Sequence, residues 1–201
     1  MTPISRPDAI GILDPHFPLL DQIFRRAQAG YAEYPAILRM DHSKRSRASI
    51  MHDLIVRYAR EVFEGVPGVV FRTIRGLFIV EIAGRLFVRF KKLDKRLMPS
   101  SIPTNQANMF YDQQMEQLHL DGIPPVTGLV AGYRFDMFEQ DIEACIVTCP
   151  IGKNIHWSID IRNPIEVQES IEPIVRINPK KSKIRAKQIA KTIRRAEDGI
   201  D

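Results

Sequence analysis

The spacing of apolar residues along this chain predicts helices in its first 120 residues. Apolar side chains recur every three or four positions over about 14–29, 50–64 and 105–118, so each stretch has one apolar face. Gly30 is expected to end the first of these helices, and Ser49 to cap the second. The segment between them is polar and basic, and we expect it to be a loop or a short helix on the surface.

Strand patterns fill the region from 69 to 93, where three apolar runs are separated by Gly76 and by Ala83 with Gly84. A two-residue turn at Ala83 and Gly84 would pair the second and third runs and decide which side chains share a face. In that register Glu81 lies on one face with aliphatic residues. The opposite face is the first place to expect ligand contact, and it carries Phe78, Val80, Arg85, Phe87, Arg89 and Lys91.

Three further strands are expected over 127–138, 143–149 and 154–161, the last with one buried and one polar face. The pattern therefore predicts an α+β fold, with a mostly antiparallel sheet of about six strands, helices packed on it and a basic C-terminal helix or tail. Residues 1–177 form a single predicted α+β domain. Residues 178–201 form the tail, where isoleucines recur on one side of a predicted helix.

The composition is that of an ordinary globular protein, with 44% of the 201 residues apolar and 26% charged. The chain has no pattern typical of a secretory signal, and no apolar run approaches the ~20 residues of a membrane-spanning helix. We therefore expect a cytoplasmic protein with no membrane partner. Cys145 and Cys149 lie four apart on a predicted strand, too far to bridge each other, and are expected to be buried and reduced.

The charge of the chain is sorted by position. Residues 39–96 carry 14 Lys and Arg against 6 Asp and Glu, whereas residues 97–177 carry 4 against 11. The segment 178–201 carries 8 against 3, so the net charge of +5 equals the surplus of this segment alone. A concentrated basic block builds a local potential that scattered charges of equal sum do not. The sorting indicates an anionic partner, and the chain's own acidic block is a rival partner for the tail.

Basic residues in three places are the predicted phosphate contacts, because clustered cations bind a polyanion by releasing its counterions. They are Arg39, Lys44, Arg45, Arg47, Arg89, Lys91, Lys180, Lys181, Lys183, Arg185, Lys187, Lys191, Arg194 and Arg195. No recognised DNA-binding motif accompanies them. DNA or RNA and a partner protein are both expected partners, and the oligomeric state is left open.

Motifs that carry known chemistry are absent from the sequence. There is no glycine-rich phosphate loop, dinucleotide fingerprint or Gly-x-Ser-x-Gly turn, and no paired Cys or His spacing typical of a metal site. His156, Ser158 and Asp160 alternate along one strand, where neighbours in the set stand about 6.6 Å apart, too far for a catalytic triad. We therefore expect no cofactor, no bound metal and no catalytic residue.

The order helix, three strands, helix, strand over 50–138 is similar to the core of PD-(D/E)xK nucleases. The resemblance implies a divalent metal held by an acid on the second strand and an acid-x-Lys pair on the third, with the lysine supporting the attacking water. Glu81 would stand for the acid on the second strand and Lys91 for the lysine. Arg89 occupies the position where the pair needs a carboxylate, which favours a version of this fold that does not cut.

Three stretches resemble segments of uncharacterised bacterial proteins whose genes lie beside regulators or metallopeptidases, in units similar to toxin–antitoxin or phage-defence pairs. They are RFKKLDKRLMPSSIPTNQA, PPVTGLVAGYRFD and VTCPIGKNIHWSIDI. The sequence thus predicts a non-enzymatic cytoplasmic module that binds nucleic acid or a partner protein in a bacterial regulatory or defence unit. The alternative is a metal-dependent nuclease of degenerate PD-(D/E)xK type. A third interpretation is a toxin or antitoxin that acts by protein contact alone.

Overall fold

The computed structural model describes residues 2–100, 102, 104–114, 126–137 and 141–164, and all of them belong to one compact unit. Within these ranges the chain forms five helices and a short 3-10 turn at Asp14–His16. The helices are α1 (Arg6–Leu13), α2 (Phe17–Ala32), α3 (Ala36–Asp41), α4 (Lys44–Val62) and α5 (Asn105–Tyr111). The six strands are β1 (Val69–Ile74), β2 (Leu77–Ile82), β3 (Leu86–Lys92), β4 (Thr127–Phe135), β5 (Ile142–Ile151) and β6 (Asn154–Asp160).

The predicted α+β class is confirmed by these elements. The helix expected over 105–118 ends at Tyr111, and residues 115–118 of it, like the predicted tail over 178–201, lie outside the described residues. Apolar spacing does not predict α1, whose signal in the sequence is its cap. The Ser5 hydroxyl accepts the backbone N–H of Asp8 at 3.3 Å, and Pro7 and Asp8 suit the first turn of a helix.

Helix α2 continues past Gly30, so the predicted stop at this glycine is wrong. A Cβ atom at Gly30 would lie 2.9 Å from the hydroxyl oxygen of Tyr58 on α4. Glycine is needed here because α2 and α4 cross closely, not because the helix ends.

Helix α4 begins earlier than its apolar pattern indicates. Ser43 caps it, with the hydroxyl accepting the backbone N–H of Ser46 at 3.1 Å, and the predicted cap Ser49 lies inside the helix. The basic segment expected to be a loop or a short helix is therefore divided between α3 and the first turn of α4. Lys44 and Arg45 thus have fixed positions on a long helix.

The sheet has the strand order β1-β2-β3-β4-β5-β6. Every neighbouring pair is antiparallel except β3 and β4, which run parallel. Helix α5 lies in the connection between them, because parallel neighbours need a crossover to the other end of the sheet. The prediction of a mostly antiparallel sheet of six strands is confirmed.

The turn between β2 and β3 differs from the prediction by one residue. Ile82 pairs with Leu86, so the connection has three residues, with Ala83 at φ 54° and Gly84 at φ 63°. This register leaves Arg85 exposed in the turn, whereas a two-residue turn would set it opposite the fully buried Ile82. The three-residue turn is favoured because it buries Leu86 opposite Ile82, where the two-residue turn would bury an arginine.

A one-residue shift moves every side chain of a strand to the other face relative to its partner. Glu81 therefore lies on the same face of the sheet as Arg89 and Lys91, and the prediction of opposite faces is wrong. Phe78, Val80 and Phe90 lie on the other face.

Both faces of the sheet are covered by helices. The α2–α4 face carries the larger core, which includes Phe24, Met51, Ile55, Val88, Phe90 and Leu129. The α5 face carries the smaller core, which includes Ile79, Phe87, Phe110, Tyr111 and Val130. The described unit thus has three layers, with the sheet in the middle.

Strands β2 and β3 pair over only three positions, from Val80 with Val88 to Ile82 with Leu86. Residues 77–79 pair with β1 but not with β3, and residues 89–91 pair with β4 but not with β2. The start of β2 and the end of β3 therefore separate. We call the opening between residues 77–79 and 89–91 the strand gap.

Candidate functional site

A buried arginine lies beside the strand gap. Arg89 is 5% exposed and faces α5, where its guanidinium carbon is 4.9 Å from the ring centroid of Phe110 and 5.9 Å from that of Tyr111. Within the described residues no carboxylate pairs with it, and its Nη1 atom has no hydrogen-bond partner. Burial lowers the pKa of Arg89. Such a cation is costly because buried charges are usually paired, and the aromatic rings offset only part of the cost.

A second cation follows two residues along the same face. Lys91 is half-buried, and its pKa is lowered first by burial and then by the positive charge of Arg89. It too has no ion pair among the described residues. Adjacent positions on one strand face are about 6.6 Å apart, so the two charges repel each other in a partly desolvated place. An anion bound at Lys91 would lie within the field of both charges and would reduce both costs.

His52 reaches the strand gap from α4, on the other side of the sheet. Its ring lies beside the backbone of Phe90, which β2 would cover if it paired with β3 at this point. The pKa of His52 is lowered mainly by burial and then by the charge of Lys91, with a smaller contribution from Arg89. We call Arg89, Lys91 and His52 the cation cluster. Sequence reasoning missed His52, because no motif distinguishes a lone histidine on a helix.

The predicted contacts near residue 40 divide between two surfaces. Lys44 and Arg45 are exposed in the first turn of α4. They lie seven or eight residues before His52 on the same helix face, which places them about 10–12 Å along the axis. Arg47 is half-buried on another face, and Arg39 on α3 donates from Nε to the carbonyl oxygen of Tyr34 at 3.0 Å. Lys44 and Arg45 therefore extend the cation cluster, whereas Arg39 and Arg47 do not share its face.

The two residues of the nuclease interpretation are not brought together. Glu81 is 8% exposed, forms an ion pair with Arg72 and lies opposite Phe87, where β2 and β3 are still paired. Lys91 lies four residues beyond Phe87, about 13 Å further along the strand. The β2 residues nearest to Lys91, at positions 77–79, are all apolar. The described residues therefore offer Lys91 no carboxylate from β2.

Other groups with reactive side chains have ordinary structural roles. Within the described ranges, no set of three or more His, Cys, Asp or Glu side chains is placed to hold a metal ion. Cys145 and Cys149 are free and buried, as predicted, and burial raises the pKa of each thiol to about 12. Both stay protonated at neutral pH and are poor nucleophiles. On β6, His156 is exposed and the Asp160 carboxylate accepts the backbone N–H of Arg162 at 2.8 Å.

The predicted tail contacts lie outside the described residues. They are Lys180, Lys181, Lys183, Arg185, Lys187, Lys191, Arg194 and Arg195. Among the helices of the described ranges, none has the length and apolar character to cross a membrane.

Comparison with known proteins gave no match to a protein-family model, to a curated protein or to a solved structure. The two resemblances drawn from the sequence therefore stay predictions. The geometry of the cation cluster is the basis for assigning a function.

Proposed function

We propose that this chain is a non-enzymatic module that binds nucleic acid and receives phosphate groups at the strand gap. The observation that carries the proposal is the pair Arg89 and Lys91, two desolvated cations with no carboxylate partner in the described part of the chain. A charge arrangement that costs stability without a structural return is typical of a ligand site.

The two cations have different parts in the proposal. Arg89 is too deeply buried to touch a ligand and acts through its charge, which the surrounding apolar residues screen poorly. Lys91 is half-buried and supplies the direct contact. The row from Lys91 and His52 to Lys44 and Arg45 extends about 10–12 Å along α4, and phosphates on one strand rise about 3.4 Å each. A row of this length favours a polyanion over a single phosphate.

The nuclease alternative is less well supported by the same geometry. A metal-dependent nuclease needs hard oxygen ligands beside the lysine. Beside Lys91 stand the apolar residues 77–79 and the cation Arg89, and Glu81 is paired with Arg72. These neighbours favour binding without cleavage.

The test is the affinity of the full chain for fluorescent DNA and RNA oligonucleotides, measured by anisotropy from about 50 to 300 mM salt. We expect the logarithm of the affinity to fall linearly with that of the salt concentration, with a slope of about 0.7–0.9 per phosphate contact. Lys91→Gln should lower both the affinity and the slope. Lys153→Gln is the matched control, because Lys153 is exposed in the β5–β6 turn, at the opposite end of the sheet.

A variant with the eight tail cations changed to glutamine separates the tail from the cation cluster. If the strand gap is the site, adding Lys91→Gln to this variant should lower its affinity by the same factor as in the wild-type chain. Weak, salt-independent binding by the wild-type chain would refute the proposal. Magnesium- or manganese-dependent cleavage that Lys91→Gln abolishes would establish the nuclease alternative instead.

A second candidate, docking of a partner protein, is favoured by the surface of α3. This helix buries no residue, and four of the exposed large apolar side chains in the described ranges lie on it or just before it. They are Tyr34 (38% exposed), Ile37 (68%), Leu38 (49%) and Met40 (81%). Exposed apolar patches with a charged rim are typical of interfaces. Since the rim carries Glu33 and Asp41 as well as Arg39 and Lys44, its charges balance, and the apolar side chains are what this surface offers a partner protein.

Loss of partner binding in Met40→Ser, with nucleic-acid affinity unchanged, would distinguish this surface from the strand gap. Cytoplasmic location and a place in a bacterial regulatory or defence unit complete the proposed function. Both rest on the sequence alone.

A further inference from the structure

A groove of about 650 Å³ lies beside the strand gap, between α4 and the start of β2. His52, Asp53 and Arg60 lie along its helical wall, and Gly76 and Phe78 form the wall on the hairpin side. It is shallow and largely open to solvent. The groove lies on the α2–α4 face of the sheet and Lys91 on the α5 face, and His52, which lines the groove, lies close enough to Lys91 to be influenced by its charge.

The hairpin wall carries a row of packed aromatic rings that supports the exposed guanidinium of Arg60. The Phe78 ring is stacked on Phe90, with centroids 6.5 Å apart and planes at 21°, and on Phe71, at 5.9 Å and 22°. The guanidinium carbon of Arg60 lies 4.8 Å from the Phe78 centroid. Aromatic rings and guanidinium planes are the surfaces on which unpaired bases stack in proteins that bind single strands.

The charges of the groove differ from those of the cation cluster. Asp53 and Glu61 line it together with Arg57 and Arg60, so its formal charges cancel apart from His52. Asp53 is exposed and makes no hydrogen bond or ion pair within the described residues. A carboxylate repels phosphate but accepts N–H groups from the edge of a base. The groove is therefore suited to a neutral, planar heterocycle with donor groups, next to a place that is suited to phosphate.

We propose that this groove receives one unpaired nucleobase while the adjoining phosphate contacts Lys91, so that the ligand is single-stranded nucleic acid. This inference rests on the proposed function and makes it more specific. A base inside a duplex presents its pairing edge to its partner and its faces to its neighbours. Neither Asp53 nor the Phe78–Arg60 surface can reach it there without unpairing.

The experiment compares the affinity of the full chain for single-stranded oligonucleotides with its affinity for blunt duplexes of the same sequence, measured by anisotropy at one salt concentration. We expect the single strand to bind at least about tenfold more tightly, as a stacked base contributes roughly that factor or more. Asp53→Asn should change the order of affinities among homopolymers of the four bases without changing the salt slope. Glu64→Gln is the matched control, because Glu64 is exposed, lies outside the groove and makes no hydrogen bond or ion pair within the described residues.

Phe78→Leu should lower single-strand affinity and leave any duplex affinity unchanged. If this variant does not fold, judged by circular dichroism, Asp53→Asn still decides the question because its side chain is exposed. Equal affinity for single strand and duplex, with Asp53→Asn behaving as wild type, would overturn the inference and leave phosphate binding at Lys91 intact. Failure of every oligonucleotide to bind would overturn the proposed function as well.

Discussion

Replacing Arg89 with methionine should stabilise the protein, because the guanidinium is buried without an ionic partner. Methionine keeps the length and apolar stem of the side chain and removes the charge and its donors. The opposite result is expected for Arg72→Met, which removes the partner of the buried carboxylate of Glu81. The two changes use the same residue types in one sheet, so each is a control for the other.

The expected magnitudes follow from the surroundings of each side chain. An unsatisfied buried donor such as Nη1 of Arg89 costs about 1–3 kcal/mol. The lost contact with the Phe110 ring is worth about 0.5–1 kcal/mol, so Arg89→Met should raise the free energy of unfolding by about 1 kcal/mol. Breaking a fully buried ion pair costs about 3–5 kcal/mol. The Arg72 side chain is 36% exposed, so for Arg72→Met we expect a loss of roughly 1–3 kcal/mol after solvent screening.

Urea unfolding followed by circular dichroism measures both changes, with equal m-values as the condition for comparing midpoints. A gain of about 1 kcal/mol corresponds to an increase in Tm of about 2–4 °C for a chain of this size. If Arg89→Met loses as much stability as Arg72→Met, Arg89 is a structural residue. The reasoning that makes it a ligand-site residue would then be refuted.

Three further predictions concern the rest of the fold. Burial lowers the pKa of His52 and of His16 below the unfolded value of about 6.5, so the unfolded state binds protons first and the free energy of unfolding should fall as pH drops below about 6.5. His52→Gln should reduce this loss of unfolding free energy between pH 7.5 and 5.5, measured by urea unfolding at both pH values. An unchanged loss would contradict the contribution of His52 to it. Gln113→Leu should cost roughly 3 kcal/mol or more, because the buried amide bonds three backbone groups of β4 and β5 at 2.8–2.9 Å; a loss under about 1 kcal/mol would show that they find other partners. Gly11→Ala should gain about 0.5–1 kcal/mol in open space on α1, whereas Gly30→Ala should gain nothing, because its Cβ meets a tyrosine of α4; equal gains would contradict the close crossing.

The fold class follows from the sequence because alternation and helical spacing report local burial directly. The three-residue turn at Ala83–Arg85 could not be read in the same way. Ala83 and Gly84 fit a two-residue turn by residue type, and only the burial of Leu86 opposite Ile82 selects the longer one. The one extra residue in the turn decides which side chains of β2 share a face with Arg89.

The candidate site was only partly within reach of the sequence. Arg89 and Lys91 are apparent as cations in an apolar strand, and their ligand role was predicted. The strand gap is a property of pairing between distant segments, so nothing local marks it. His52 becomes part of the cluster only because the Phe90 backbone is left open by β2. Sequence reasoning found the charges, and the strand gap beside them is apparent only in the tertiary structure.

The measurement that tests the central claim most directly is the pKa of Lys91 in the full chain, followed by NMR with and without a saturating single-stranded oligonucleotide. In the free protein the pKa of Lys91 should lie below the ordinary lysine value of about 10.4. It should rise when phosphate is bound beside it, while the NMR signals of Lys153 at the other end of the sheet stay unchanged. An oligonucleotide that binds and leaves the pKa of Lys91 unchanged would contradict phosphate binding at the strand gap.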